Sequence, residues 1–324
     1  MKRLLFKSIL LLAITILLDF SIGKVLAYMF FANTSGAPGY VLNHAVAKHY
    51  DAYIMGASGA QRGYIPSILS QELGMNVLNT GEAGTNIFHN YAALKLILKQ
   101  NTPKLIIWDL TDADYYYRPD AGKTGMITPY YKDASIKKLL YDMEPLNRLW
   151  LCSKIYPYNG KILSIVGSYF LKPNAEAGGD RGYHPILGTI NPRLRSLYLR
   201  QFSEEQSYVL HRSKDDAAKD VLIRKYFHAF IRLCQQNNIQ LIAFHCPKAP
   251  LNSQIASTPL ISVELRAQLH KYNIPLYSIM PSQYPQMNEL NLYYDFSHLN
   301  HRGAQVYSRI VARHIRNTSN MMPE

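Results

Sequence analysis

Cysteine is scarce in this chain. Its 324 residues include three, Cys152, Cys234 and Cys246, with no CxxC pair among them, which excludes a disulfide framework and a zinc site of standard spacing. Cys246 closes an apolar run and reads as a packed small hydrophobe. Acidic residues are also in short supply, 22 Asp and Glu against 35 Lys and Arg, for a formal charge of +13. Such a balance favours anionic surroundings, a membrane surface or an acidic glycan. The basic residues are scattered, however, without a run, a zinc-finger pattern or an RNA-binding aromatic signature, so nucleic acid is not an expected partner. Internal repeats and low-complexity segments are missing too. The 48% apolar share is that of a domain with an ordinary buried core.

The one long apolar stretch lies at the N-terminus. Lys2, Arg3 and Lys7 precede an apolar run from Ser8 to Leu18, and after Asp19 the chain is apolar again up to Ala32, with Lys24 its only charge. As a signal peptide this has the basic start and the apolar length required. As an uncleaved anchor, 4–31 is long enough to cross a bilayer, with Asp19 costing about 3 kcal/mol near its centre. No clean small-x-small cleavage site precedes Asn33. Residues 1–32 are therefore expected to be a signal-anchor helix detached from the core, with a linker at 33–50. The positive-inside bias leaves the N-terminus cytoplasmic and exports the rest.

Beyond the linker, short apolar runs alternate with segments of helical period. Strands are expected at 52–55, 77–78, 105–108, 239–244 and 274–279. Helices are expected from Pro66 to Gly74, over Ile87 to Leu98, over Leu222 to Leu233, from about Ser262, and from about Gly303. Strands that are apolar on both faces, separated by helices, imply a parallel sheet covered on both sides. In such sheets the site sits at the carboxyl ends of the strands. The alternation lapses at about 115–215, a tyrosine-rich stretch too long for a bare loop, which reads as an insertion or lid.

Two segments carry chemistry. Tyr53-Ile-Met-Gly-Ala-Ser-Gly-Ala-Gln-Arg-Gly63 puts Ser58 in a glycine-rich turn between strand and helix, where helix N–H groups face a developing negative charge. Tyr294-Asp-Phe-Ser-His-Leu-Asn-His-Arg-Gly-Ala304 spaces Asp295 and His298 so that a carboxylate can hold one ring nitrogen while the other faces a hydroxyl. Ala121-Gly-Lys-Thr124 resembles the end of a P-loop, but Tyr117 stands where its first glycine belongs, so no nucleotide or other cofactor is expected. His298 and His301 lack a third ligand, and no metal is expected. His245, at the end of the fourth strand, reads as structural.

Together, the Gly-x-Ser turn, Asn79-Thr-Gly-Glu-Ala-Gly84 after the second strand, and the C-terminal Asp-x-x-His-Leu-Asn resemble the blocks of the SGNH (GDSL-like) hydrolases, in particular their membrane-anchored bacterial-type members. The resemblance spans about 51–315, apart from the insertion. It implies a flavodoxin-like three-layer α/β/α domain over 51–317, followed by a tail at 318–324. It further implies Ser58 as nucleophile, His298 as proton shuttle and Asp295 as its orienting acid. The implied oxyanion hole takes the Ser58 N–H, Gly84 and a third donor. Where the family has Gly-x-Asn-Asp, this chain reads Asp109-Leu-Thr-Asp112, which leaves Thr111 or Asn86 as the third donor, or backbone groups alone. A second departure is Gly59 directly after the serine. The implied function is an exported esterase or O-acyltransferase acting on an acylated envelope glycan or another ester. The alternative is an SGNH-like accessory domain that binds a glycan or a membrane O-acyltransferase partner.

Overall fold

The computed structural model describes residues 1–35, 39–171, 180–210, 213–257 and 261–319. In chain order the helices and strands are α1 (Lys2–Ala32), α2 (Val41–Ala47), β1 (Ala52–Gly56), α3 (Ser58–Gly63), α4 (Pro66–Leu73), β2 (Val77–Asn79), α5 (Ile87–Ile97) and β3 (Leu105–Asp109). There follow α6 (Ala134–Met143), α7 (Asn147–Trp150), α8 (Ile162–Leu171), α9 (Arg195–Leu210), α10 (Lys214–Gln236), β4 (Gln240–His245), α11 (Ser253–Ser257), α12 (Val263–Lys271), β5 (Leu276–Ser278) and α13 (His301–Ser319). The protein is thus an α/β fold on a five-stranded, all-parallel sheet of order β2-β1-β3-β4-β5, with an apolar N-terminal helix.

Side chains alternate across the pleat, and the two sets feed separate apolar clusters. Tyr53, Met55, Ile106 and Trp108 pack with residues of α2, α5, α6, α10 and α12. Ile54, Ile107, Ile242 and Phe244 pack with α3, α4, α9, α11 and α13. Trp108 is fully buried against Phe227 and Phe230, with ring centroids 5.5 and 4.9 Å away; its removal would cost about 3–5 kcal/mol. Local signals set the helix ends. Pro66 opens α4 and Gly74, at φ +66, closes it, while Ser213 caps α10 ahead of Asp215 and Asp216 in its first turn.

Four expectations change. Residues 40–50 are not a linker: Val41, Leu42, Ala45 and Tyr50 belong to the core. The helix α1 is not detached. Its Leu26 and Phe30 pack with Tyr40, Tyr158 and Ile165, and the Asn43 amide donates to the carbonyls of Phe30 and Asn33 at its end. Asp19 accepts from the Ser153 hydroxyl at 2.5 Å and from the N–H groups of Lys154 and Ile155 at 2.7 and 3.3 Å. Gly23 is needed beside it, since a Cβ there would stand 2.3 Å from that of Lys154. The tyrosine-rich stretch is helical and lies against the sheet domain, α6 on one face and α9 on the other; its residues 172–179 and 211–212 lie outside the described ones. The helix α13 continues to Ser319, so it runs into the expected tail at 318–324, of which 320–324 lies outside the described residues.

Candidate active site

The register of the sheet sets Gly56, Asp109 and Phe244 side by side at the carboxyl ends of β1, β3 and β4. The chain leaves β1 through Gly56 at φ +147, where a Cβ would stand 2.6 Å from the Asp109 carbonyl oxygen. Only glycine suits that conformation and that closeness. Two residues later Ser58 begins α3, so its hydroxyl emerges at the end of the sheet beside the first amides of the helix.

The other half of the site comes from the far end of the chain. Phe296 and Leu299 are buried, and Tyr293 and Leu299 form a short antiparallel bridge, which closes 294–298 into a tight loop. Asn300 fixes its exit. The side-chain amide donates to the carbonyls of Gly188 and Asn291, and the side-chain oxygen accepts the Gly303 N–H. Gly303 lets α13 approach Leu292, whose carbonyl oxygen would lie 2.1 Å from a Cβ. The Leu-Asn and Gly that follow His298 thus hold the loop in place.

Within that frame, His298 Nε2 lies 2.8 Å from Ser58 Oγ, and Nδ1 lies 2.9 and 3.0 Å from the two carboxylate oxygens of Asp295. Asp295 Oδ1 also accepts the N–H groups of Ser297 and His298 at 2.8 and 2.9 Å. Burial raises the pKa of this carboxyl, but the His298 ring and the two N–H groups outweigh it and hold the group below its usual value. The acid therefore stays ionised, Nδ1 carries the proton and Nε2 is left to accept from the serine.

Ser58 and His298 open on a cleft of about 280 Å³, lined also by Gly84, Thr111, His245, Arg118 and Lys248. Of the expected oxyanion-hole residues, Gly84 and Thr111 are brought here and Asn86 is not. The Asn86 oxygen accepts the Phe88 N–H and caps α5. Thr111 caps a short turn at Asp112–Asp114, with its N–H 3.0 Å and its hydroxyl 3.4 Å from Asp114 Oδ2. Gly84 stands at φ +75. His245 binds the Leu110 carbonyl through Nδ1 at 3.0 Å, as a structural histidine does, yet it also faces the cleft.

Asp109, at the carboxyl end of β3, does not face the cleft. It is 1% exposed; Oδ1 accepts from the Tyr64 hydroxyl at 2.8 Å and the Cys246 N–H at 3.2 Å. Oδ2 lies under the start of α3 without a hydrogen bond of normal geometry. A Cβ on Gly59 would stand 2.2 Å from that oxygen, so the glycine and the carboxylate fit one another. Burial, against the hydrogen bonds from Tyr64 and Cys246, raises the Asp109 pKa to about 7. Burial does the same for Asp114, also to about 7.

Sequence reasoning missed Arg118 and Lys248. Lys248 sits just beyond β4, where a parallel sheet carries its ligand-facing residues, and that position was a usable signal. Arg118 lies in the tyrosine-rich stretch and had none. No protein-family model matches this chain and no curated protein is significantly similar to it, so its site stands on its own geometry.

Proposed function

We propose that this protein is a serine esterase or O-acyltransferase of the SGNH type, on a flavodoxin-like three-layer α/β/α domain. The observation that carries the proposal is the Ser58–His298–Asp295 chain of hydrogen bonds, drawn from opposite ends of the sequence, with 240 residues between the serine and the histidine. Supporting the fold are the strand order 2-1-3-4-5, shared with flavodoxin-like sheets, and apolar packing on both faces.

In this mechanism His298 Nε2 takes the Ser58 proton as Oγ attacks an ester carbonyl. Asp295 stabilises the imidazolium that forms, and the Ser58 and Gly84 N–H groups receive the oxyanion. His298 then protonates the leaving alkoxide, takes a proton from water or an acceptor hydroxyl as that oxygen attacks the acyl carbonyl, and returns it to Ser58 Oγ as the acyl–serine bond breaks. Arg118 and Lys248 make the cleft suitable for a polar substrate such as an acylated glycan. The packing of Asp19, Gly23, Leu26 and Phe30 against the domain supports an uncleaved α1, and Lys2, Arg3 and Lys7 support a cytoplasmic N-terminus with the domain exported.

A fluorophosphonate probe should label wild-type protein at Ser58, and Ser58→Ala should abolish both labelling and turnover of short-chain or sugar acetyl esters. His298→Ala should be nearly as damaging, by about 10⁴–10⁶-fold in kcat. Asp295→Asn should cost about 10- to 100-fold less than either. One observation favours the accessory-domain alternative: among the described residues no asparagine or glutamine side chain lines the cleft, and one missing oxyanion donor costs about 10²–10³ in rate. Neither labelling nor turnover across a broad acyl panel, with membrane partners present, would replace the enzyme with that binding module.

A further inference from the structure

The apolar surface of α1 does not stop where the helix meets the domain. From Leu4 to Leu18 its side chains are mostly exposed, a length of about 22 Å. A bilayer core is about 30 Å thick. If α1 crosses it from its basic start, the far boundary falls about five residues beyond Leu18, near Gly23. That level is already inside the folded domain, where the turn at 153–155 grips Asp19.

The domain surface at this level is apolar as well. Leu146 is 54% exposed, Leu149 67% and Trp150 39%, and all three lie shortly before the turn that holds Asp19. The helix α8 runs beside the C-terminal half of α1: Ile165 packs on Leu26 and Phe30, and the Tyr169 ring meets Tyr28 at 5.9 Å. While Ile165 faces α1, Leu163 at 89% and Phe170 at 69% face outward. On α1 itself Phe20, Ile22 and Val25 remain about half exposed here. Arg148 and Lys24 lie over aromatic rings, Tyr141 and Phe20.

We propose that α7 and the start of α8 seat the domain in the lipid bilayer beside α1, with Trp150 and Leu163 in the outer acyl and headgroup region. Three points select lipid. The patch is continuous with the surface of α1, it lies at the depth the missing length demands, and it mixes exposed aromatics with basic residues as interfacial segments do. At this depth Asp19 is half-buried and has three hydrogen-bond donors from the protein. The domain is then fixed in height and tilt. The proposal rests on α1 entering a membrane and not on the chemistry at Ser58.

The test uses full-length protein in phosphatidylcholine–phosphatidylglycerol vesicles. A nitrobenzoxadiazole fluorophore is placed at Leu163→Cys, or at Arg309→Cys on α13 across the sheet. Both are made in a Cys152→Ser background, since Cys234 and Cys246 are buried. The expected result is quenching at 163 by spin-labelled lipid and protection from iodide present on both sides of the membrane, with the reverse at 309. Equal iodide quenching at the two positions overturns the proposal. Protection of 163 from both iodide and spin-labelled lipid overturns it too, and shows a second copy covering the patch. Protein that fails to float with the vesicles defeats the membrane role of α1 as well. Fluorophosphonate labelling of Ser58 in the same sample reports on the catalytic proposal independently.

Discussion

Gly59 and Asp109 have to be considered as a pair. The missing side chain of one makes room for the carboxylate of the other, 2.2 Å from where a Cβ would stand. Gly59→Ala should therefore destabilise the protein by about 1–3 kcal/mol. In an Asp109→Ala background the same change should cost much less, with a coupling energy of about 0.5–3 kcal/mol in denaturant titrations. Additive losses would separate the two residues. Asp109 also ties stability to pH. Its pKa rises from 3.8 to about 7 on folding, so between those values the folded state holds a proton that the unfolded state has lost. Stability then falls as pH rises through that window, by up to about 1.4 kcal/mol per pH unit for each such acid. Asp114 follows the same course. Asp109→Asn mimics the protonated acid, so thermal melts from pH 5 to pH 8 should show about half the wild-type slope. Parallel curves would mean that Asp109 is already ionised at the lower pH.

Among the elements, α1 is the one whose role differs most from its composition. Asp19 looks like a defect in an apolar helix, and its partners are 134–136 residues away. Asp19→Leu should leave α1 apolar but release the turn at 153–155, losing hydrogen bonds to a charged group worth about 1.5–3 kcal/mol each. Limited trypsin digestion in detergent should then cut faster after Lys154, and an unchanged rate would dismiss the clasp. This contact was illegible in the sequence for a physical reason: apolar period and turn residues are local signals, whereas a half-buried carboxylate finds its donors through tertiary packing. The same division runs through the protein. The strands starting at Ala52, Val77 and Leu105 were legible because each is apolar throughout and bounded by turn residues. Ser58, Asp295 and His298 were legible because their turns need glycine and asparagine at fixed offsets. The course of 115–213, the inward turn of Asp109 and the place of Arg118 were not, since each depends on what packs against it.

At the scale of the whole molecule, the candidate site joins the first strand of the sheet to the loop before the last helix. β1 lies inside the sheet, flanked by β2 and β3, while His298 is held by the loop that leads into α13, which packs on α3 and α4. At about 5–20 residues per second, the 240 residues separating Ser58 from His298 take roughly 12–48 s to make. Throughout that interval α1 has emerged and Ser58 has no base. A chain stalled with His298 still inside the ribosome should not react with a fluorophosphonate, and release should restore the reaction. Labelling of the stalled chain would show the serine to be activated by something other than His298. The distance between the two residues along the chain thus acts as a timer, which keeps the nucleophile silent until His298 has been made and the anchor has had time to reach its membrane.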